Sequence, residues 1–182
     1  MRVARMLAVL VLLFVYPATG RATVVVPADL GELSRDARAI AVGRVVAVNG
    51  RWTDDRRTIE TIVTLDVDLY LKGSLGSTLQ FRVPGGTLGR YRTIVVGAPA
   101  FTTDQRVVVF LGATGPMIPY IVGFNQGVYR VVRSDDGAWM VTPPAMPPAA
   151  VPTPVVRGDA ARRPLALADF ESQVRALAER AR

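Results

Sequence analysis

The sequence predicts a mainly β fold: a small OB-like or Greek-key barrel with a short N-terminal helix and a C-terminal amphipathic helix. Three observations predict it. Turn signals recur about every eight to fifteen residues through the middle of the chain, as in barrels and sandwiches. Between them the apolar residues follow a period of two, seen best from Thr58 to Lys72. Only near the two ends do apolar residues fall at spacings of three and four.

Residues 1–22 read as a signal peptide. Arg2 and Arg5 precede an apolar run from Met6 to Tyr16 and a small-residue exit, Pro17-Ala18-Thr19-Gly20-Arg21-Ala22. An apolar run of about ten residues is half of what a bilayer-spanning helix needs, so cleavage after Ala22 is expected. No cysteine follows to carry a lipid. The expectation is therefore a secreted or periplasmic protein with no integral membrane span once the signal is removed.

Residues 23–142 form the predicted β-barrel domain. Leu30, Leu33 and Ala37 give its short leading helix, with Asp29 near the start. Ile40 to Val48 is a β-prone run containing Gly43, a bulge signal, and Asn49-Gly50 predicts the turn that ends it. Thr58 to Lys72 is a long strand, with Ile59, Val63, Leu65, Val67, Leu69 and Leu71 on one face and mostly polar residues on the other. Leu79, Phe81 and Val83 continue the alternation after a turn, and Pro84 to Gly89 reads as a flexible loop. Further strands are expected at Thr93–Val96, Arg106–Leu111, Ile118–Val122, Gly127–Arg133 and Ala138–Val141. The continuous run Val107 to Leu111 requires burial on both faces, and Ser134-Asp135-Asp136-Gly137 is a hairpin turn. Residues 143–164 are a proline-rich linker, and 165–182 a helix striped by Leu167, Phe170, Val174 and Leu177.

Composition excludes more than it assigns. The chain has no histidine and no cysteine, which removes Ser-His-Asp and Cys-His nucleophile systems, imidazole and thiolate metal sites, and disulfides. No cofactor and no metal are implied. The formal charge is +7, with Arg2, Arg5 and Arg21 leaving with the signal, and the remaining basic residues are scattered rather than gathered in a stripe. Nucleic acid is therefore not an expected partner.

Carboxylates are the remaining acid/base tools. Asp66 and Asp68 share the wet face of the long strand, whose polar residues a half-exposed strand requires in any case. Asp54-Asp55 and Asp135-Asp136 sit in turn signals. A Lys72–Ser74 dyad needs a desolvated lysine, and Lys72-Gly73 reads as a strand end. Gly85 to Arg90 lacks the ending of a phosphate loop. Loop aromatics beside arginines are the usual anchors of binding surfaces, so Arg51, Trp52, Arg90, Tyr91, Arg92, Tyr120 and Phe124 form the candidate partner surface.

Several motifs carry a resemblance: Val42-Gly-Arg-Val45, the strand ending Leu71-Lys-Gly73, Val83-Pro-Gly-Gly86, Gly97-Ala-Pro-Ala-Phe101, Val108-Val-Phe-Leu111 and Gly127-Val-Tyr-Arg-Val131. Through them the chain from Ile40 to Val132 resembles a family of uncharacterised secreted bacterial β-barrel proteins. The strand order is also weakly similar to the OB-like barrel of the tissue inhibitors of metalloproteinases. Those inhibitors set an N-terminal cysteine on the protease zinc, where this chain offers Thr23 and no disulfide. The resemblance implies a fold and leaves the chemistry open.

The expected function is accordingly a non-enzymatic, exported binding or inhibitory module with a protein or glycan partner. The alternatives are an envelope structural or assembly protein docking through its C-terminal helix, and a hydrolase built on Asp66 and Asp68.

Overall fold

The structure, a computed structural model, describes residues 28–115, 117–144 and 163–180. The predicted signal peptide and most of the proline linker lie outside these residues. Among the described residues no helix is long and apolar enough to cross a membrane.

Helix α1 (Leu30–Asp36) starts with a reciprocal cap. The Asp29 carboxylate accepts the Glu32 N–H at 2.7 Å, and the Glu32 carboxylate accepts the Asp29 N–H at 3.0 Å, satisfying two donors that the first turn leaves open. At its other end the Lys72 ammonium donates to the carbonyls of Ser34 (2.7 Å) and Arg35 (3.1 Å). That positions a cation where the helix dipole favours one, and it shows Lys72 directed to α1.

The long strands β1 (Ala39–Trp52) and β2 (Ile59–Lys72) pair antiparallel along their full length. Asn49-Gly50 does not end β1. Asn49 and Gly50 stay in the ladder opposite Ile62 and Thr61, and a Cβ on Gly50 would collide with the Thr87 carbonyl. The glycine serves close backbone approach rather than a turn. Register shifts fall at Ile40/Ala41, Val42/Gly43 and Val45/Ala47. These irregularities rotate the strand pair, so that Val63 and Leu65 of β2 enter one core while Leu71, of the same parity, enters another.

Strand β3 (Thr78–Pro84) follows with clean alternation, burying Leu79, Phe81 and Val83. The stretch expected to be a loop is a second, two-stranded sheet instead: β4 (Gly86–Leu88) pairs with β5 (Tyr91–Thr93). Glycines that read as flexibility there supply backbone at φ 85° (Gly85), 148° (Gly86) and 57° (Gly89), conformations that other residues adopt at a cost. Beyond Thr93 the expected strand does not continue.

Strand β6 (Arg106–Gly112) runs through the middle. Val107, Val109 and Leu111 face one core and Val108 and Phe110 the other, which accounts for its unbroken apolar run. Strand β7 covers only Tyr120–Ile121 and is followed by a short 3₁₀ turn, Phe124–Gly127. Strands β8 (Val128–Arg133) and β9 (Trp139–Thr142) form the expected hairpin. A two-residue strand β10 (Leu165–Ala166), which no sequence signal marks, pairs with β9 and leads into α2 (Leu167–Arg180).

The result is an eight-stranded mixed sheet of order β1-β2-β3-β7-β6-β8-β9-β10, in which β1 also pairs with β6. That extra pairing makes β1, β2, β3, β7 and β6 a partial ring. Its one parallel contact, β3 with β7, consists of a single residue pair, Arg82 with Tyr120. Inside the ring lies a core of Val63, Leu65, Phe81, Val107 and their neighbours, with Phe81 and Phe101 edge to face at 5.3 Å. On the outside, both helices cover a second core of Leu33, Ile40, Phe110, Tyr129, Phe170 and Val174. The apolar stripe of α2 is thus spent within the molecule: Phe170, Val174 and Ala178 are buried.

Candidate binding surface

The free end of the β1–β2 hairpin is built around a tight turn. The Thr53 hydroxyl donates to the Asp55 carboxylate at 2.6 Å, and the Arg57 N–H reaches the same oxygen at 3.1 Å. The Thr53 hydroxyl bond first and the Arg57 N–H second hold the Asp55 carboxyl below the ordinary aspartate range. Asp55 is thereby a turn residue, as aspartate often is.

The β4–β5 hairpin is tied against this end. The Thr61 hydroxyl donates to the Gly85 carbonyl at 2.7 Å, and the Ile59 N–H donates to the Thr93 hydroxyl at 3.1 Å. Four of the predicted surface residues meet here or beside it. The rings of Trp52 and Tyr91 lie 5.5 Å apart at 59°. The Arg90 guanidinium sits 5.0 Å from the Tyr91 ring centre and donates to its hydroxyl at 2.9 Å. Arg51, next to Trp52, pairs across the ladder with Glu60 at 2.6 Å. The Glu60 side chain is 10% exposed, so this contact satisfies a carboxylate that would be costly to leave alone.

Glu60 is also the link to the other aromatics. It lines an open groove of about 280 Å³ together with Arg82, Pro84, Pro99, Tyr120, Ile121 and Phe124. Tyr120 lies across Gly112, where a Cβ would come within 2.6 Å of its ring. Gly123 (φ 67°) and Phe124 (φ 55°) are both left-handed, and this double bend carries Phe124 outward. Six of the seven residues therefore fall into two clusters: Trp52, Arg90 and Tyr91 in one, and Arg51, through Glu60, with Tyr120 and Phe124 in the other, Arg51 and Trp52 being successive residues of β1 that face opposite sides. Arg92 does not join them: successive strand residues point to opposite sides, and it stands exposed on the far side of β5 from Tyr91.

A second, charged depression of about 310 Å³ was not visible in the sequence. It is lined by Arg44, Asp66, Asp68, Asp104, Arg106 and Trp139. Arg106 donates to Asp68 through Nε (3.1 Å) and Nη2 (2.7 Å), so Asp68 is held as an ion-pair partner. The Trp139 ring lies 4.9 Å from the Arg106 guanidinium and 4.7 Å from that of Arg133. Its residues come from β1, β2, β6, β9 and the turn before β6 that carries Asp104, and only the wet-face position of Asp66 and Asp68 was legible beforehand. Asp136 accepts the Ala138 N–H in the β8–β9 turn at 3.1 Å. Among the described residues no three or more acidic side chains gather into a cation-binding group. No protein-family model, no curated protein and no solved structure matches the chain.

Proposed function

We propose that this chain is an exported, non-enzymatic binding or inhibitory module that receives a protein or glycan partner on its aromatic and arginine-bearing end. The observation that carries the reading is the groove itself, where Glu60, paired with Arg51, lines a concave site with Arg82, Tyr120 and Phe124. Aromatic and arginine anchors around a concave site are the usual substance of a binding hot spot.

The partial ring is read as an OB-like Greek-key barrel. Support comes from its order, antiparallel throughout except where β3 meets β7, and from the groove lying beside that junction. Folds of this kind present ligands to one face and its loops. The kinship with secreted bacterial β-barrel proteins belongs to the same reading.

The experiment pairs a glycan array with capture from envelope and culture-fluid extracts, using the wild-type chain and the Tyr120→Ala/Phe124→Ala variant. A ligand retained by the wild type and reduced at least tenfold by the variant is expected, since truncating hot-spot aromatics costs about 2 kcal/mol or more. No ligand above background in either class would sink the reading.

A further inference from the structure

The Tyr120 ring in the groove is laid flat on a glycine. Tyr120 stands opposite Gly112 in the β6–β7 pairing, and a Cβ at Gly112 would lie 2.6 Å from its Cζ, 2.8 Å from Oη and 2.9 Å from Cε2. An approach in the plane of the ring would bring Oη or Cε2 closer than Cζ, so the glycine lies under the ring's face. The opposite face is the one that Tyr120, 40% exposed, turns to solvent. Nothing among the described residues pairs with its hydroxyl.

Two charged groups line the same groove without meeting each other. Arg51 places both its bonds, Nε at 2.8 Å and Nη2 at 2.6 Å, on Oε1 of Glu60, and no described residue donates to Oε2. The sealed, unpartnered side-chain atoms among the described residues are Ser34 Oγ and Gln105 Nε2. Glu60 Oε2 is therefore open to water, on a side chain that is nine-tenths buried. Arg82 is its diagonal neighbour: Glu60 stands opposite Pro84, and Ile62 opposite Arg82, in the β2–β3 ladder, a separation of about 7–8 Å that long side chains can span. The two form no ion pair, so an acceptor and a set of donors line the groove with a gap between them.

These groups select one kind of occupant. A peptide strand needs backbone donors, but Pro84 has none and the Arg82 N–H is already on the Pro119 carbonyl at 2.8 Å. An apolar side chain would seal Glu60 Oε2 from water without a donor. A cationic group would meet Arg82, and an anionic one Glu60. Hydroxyl groups both donate and accept, and the C–H bonds of a sugar ring suit the negative face of an aromatic ring. We infer that the groove takes a neutral pyranose residue stacked on the free face of Tyr120, one hydroxyl donating to Glu60 Oε2 and a neighbouring hydroxyl accepting from Arg82. Its volume of about 280 Å³ lies near the lower end of ligand clefts, roughly 300–1,000 Å³, which suits one ring of a chain or its end. The inference rests on the binding-module reading above and narrows its partner to a glycan.

The test is titration of the wild-type chain with neutral oligosaccharides of glucose, galactose, mannose and N-acetylglucosamine, and with polygalacturonate, read by calorimetry and saturation-transfer nuclear magnetic resonance. Expected is saturable binding of at least one neutral oligosaccharide and none of polygalacturonate, with saturation strongest at the C–H protons of one ring face. Glu60→Gln and Tyr120→Ala should each weaken that binding about tenfold or more. Gly112→Ala adds a methyl group beneath the platform and removes no contact group, and it should weaken binding as well. Val132→Ser, at an exposed position of β8, should leave it unchanged. Melting curves for each variant separate loss of the site from loss of the fold. Preference for polygalacturonate, an oligosaccharide bound equally by wild type and the groove variants, or a protein captured through Tyr120 and Phe124 with no sugar bound overturns the inference. The last of these leaves the binding-module reading standing, and absence of every ligand, sugar and protein alike, removes both.

Discussion

Single atoms decide several features of this molecule. Gly50 lets the backbone of β4 lie against β1, because a Cβ there would meet the Thr87 carbonyl. Neither side of that contact is a flexible side-chain end. Gly50→Ala should destabilise the protein by roughly 1–3 kcal/mol and weaken the Trp52–Tyr91 contact, read together by urea denaturation and near-ultraviolet circular dichroism. Tyr70 is a second case. Burial pushes its phenol above the ordinary value, while its hydroxyl donates to the Gly76 carbonyl at 2.7 Å. The raised value in the folded state means that the unfolded chain loses this proton first as the pH rises. Its contribution to stability should be fully present below about pH 10 and decline above it. Tyr70→Phe should flatten that alkaline decline in urea midpoints measured across the range.

Elements show what the sequence could and could not tell. Strands β2 and β3 were legible because one-sided burial of Val63, Leu65 and Phe81 imposes a period of two, and β6 because burial on both faces leaves Val107 to Leu111 unbroken. Helix α1 was legible from the spacing of Leu30, Leu33 and Ala37 and from Asp29 near its start, while the reciprocal bond with Glu32 was not. The β4–β5 hairpin was not, because Pro84, Gly85 and Gly86 look alike in a loop and in a hairpin held by Thr61 and Thr93. The groove was half legible: Tyr120 and Phe124 stood out, but Glu60 and Arg82 are ordinary strand residues until β3 and β7 come together. Trp139 was missed because its arginine neighbours arrive from β6 and β8. Helix α2 was expected as an amphipathic helix, and its seat on the second core now gives it a measurable role. The Phe170 ring lies 4.9 Å from that of Tyr129, so Phe170→Ala should cost about 3–5 kcal/mol. A chemical-denaturation midpoint unchanged from wild type would contradict that packing.

At the scale of the whole molecule, stability comes from two cores sharing one wall. Strands β1 and β6 present alternate residues to each core, so disturbance of either strand is felt on both sides. In a chain without cysteine, this shared wall and not a disulfide ties the two cores together. Around the rest of the ring the pairing is extensive, and at β3 and β7 it narrows to Arg82 and Tyr120, with the Arg82 N–H on the Pro119 carbonyl at 2.8 Å. Arg82 and Pro84 reach the groove from one side of this narrow junction, and Tyr120 and Ile121 from the other.

That junction is a seam, and whatever fills the groove acts as its clasp. Without a ligand, the amides of Arg82 and Ile121 should exchange with deuterium through local opening, well ahead of those of Val108 and Val109. A ligand seated across the groove binds only the closed seam, so it should slow exchange at those two amides first and raise the melting temperature as its concentration passes the dissociation constant. Protection that spreads evenly over the sheet would place the ligand elsewhere. The weakest point of the ring is in this way its most informative reporter, able to register an occupant before that occupant has been identified.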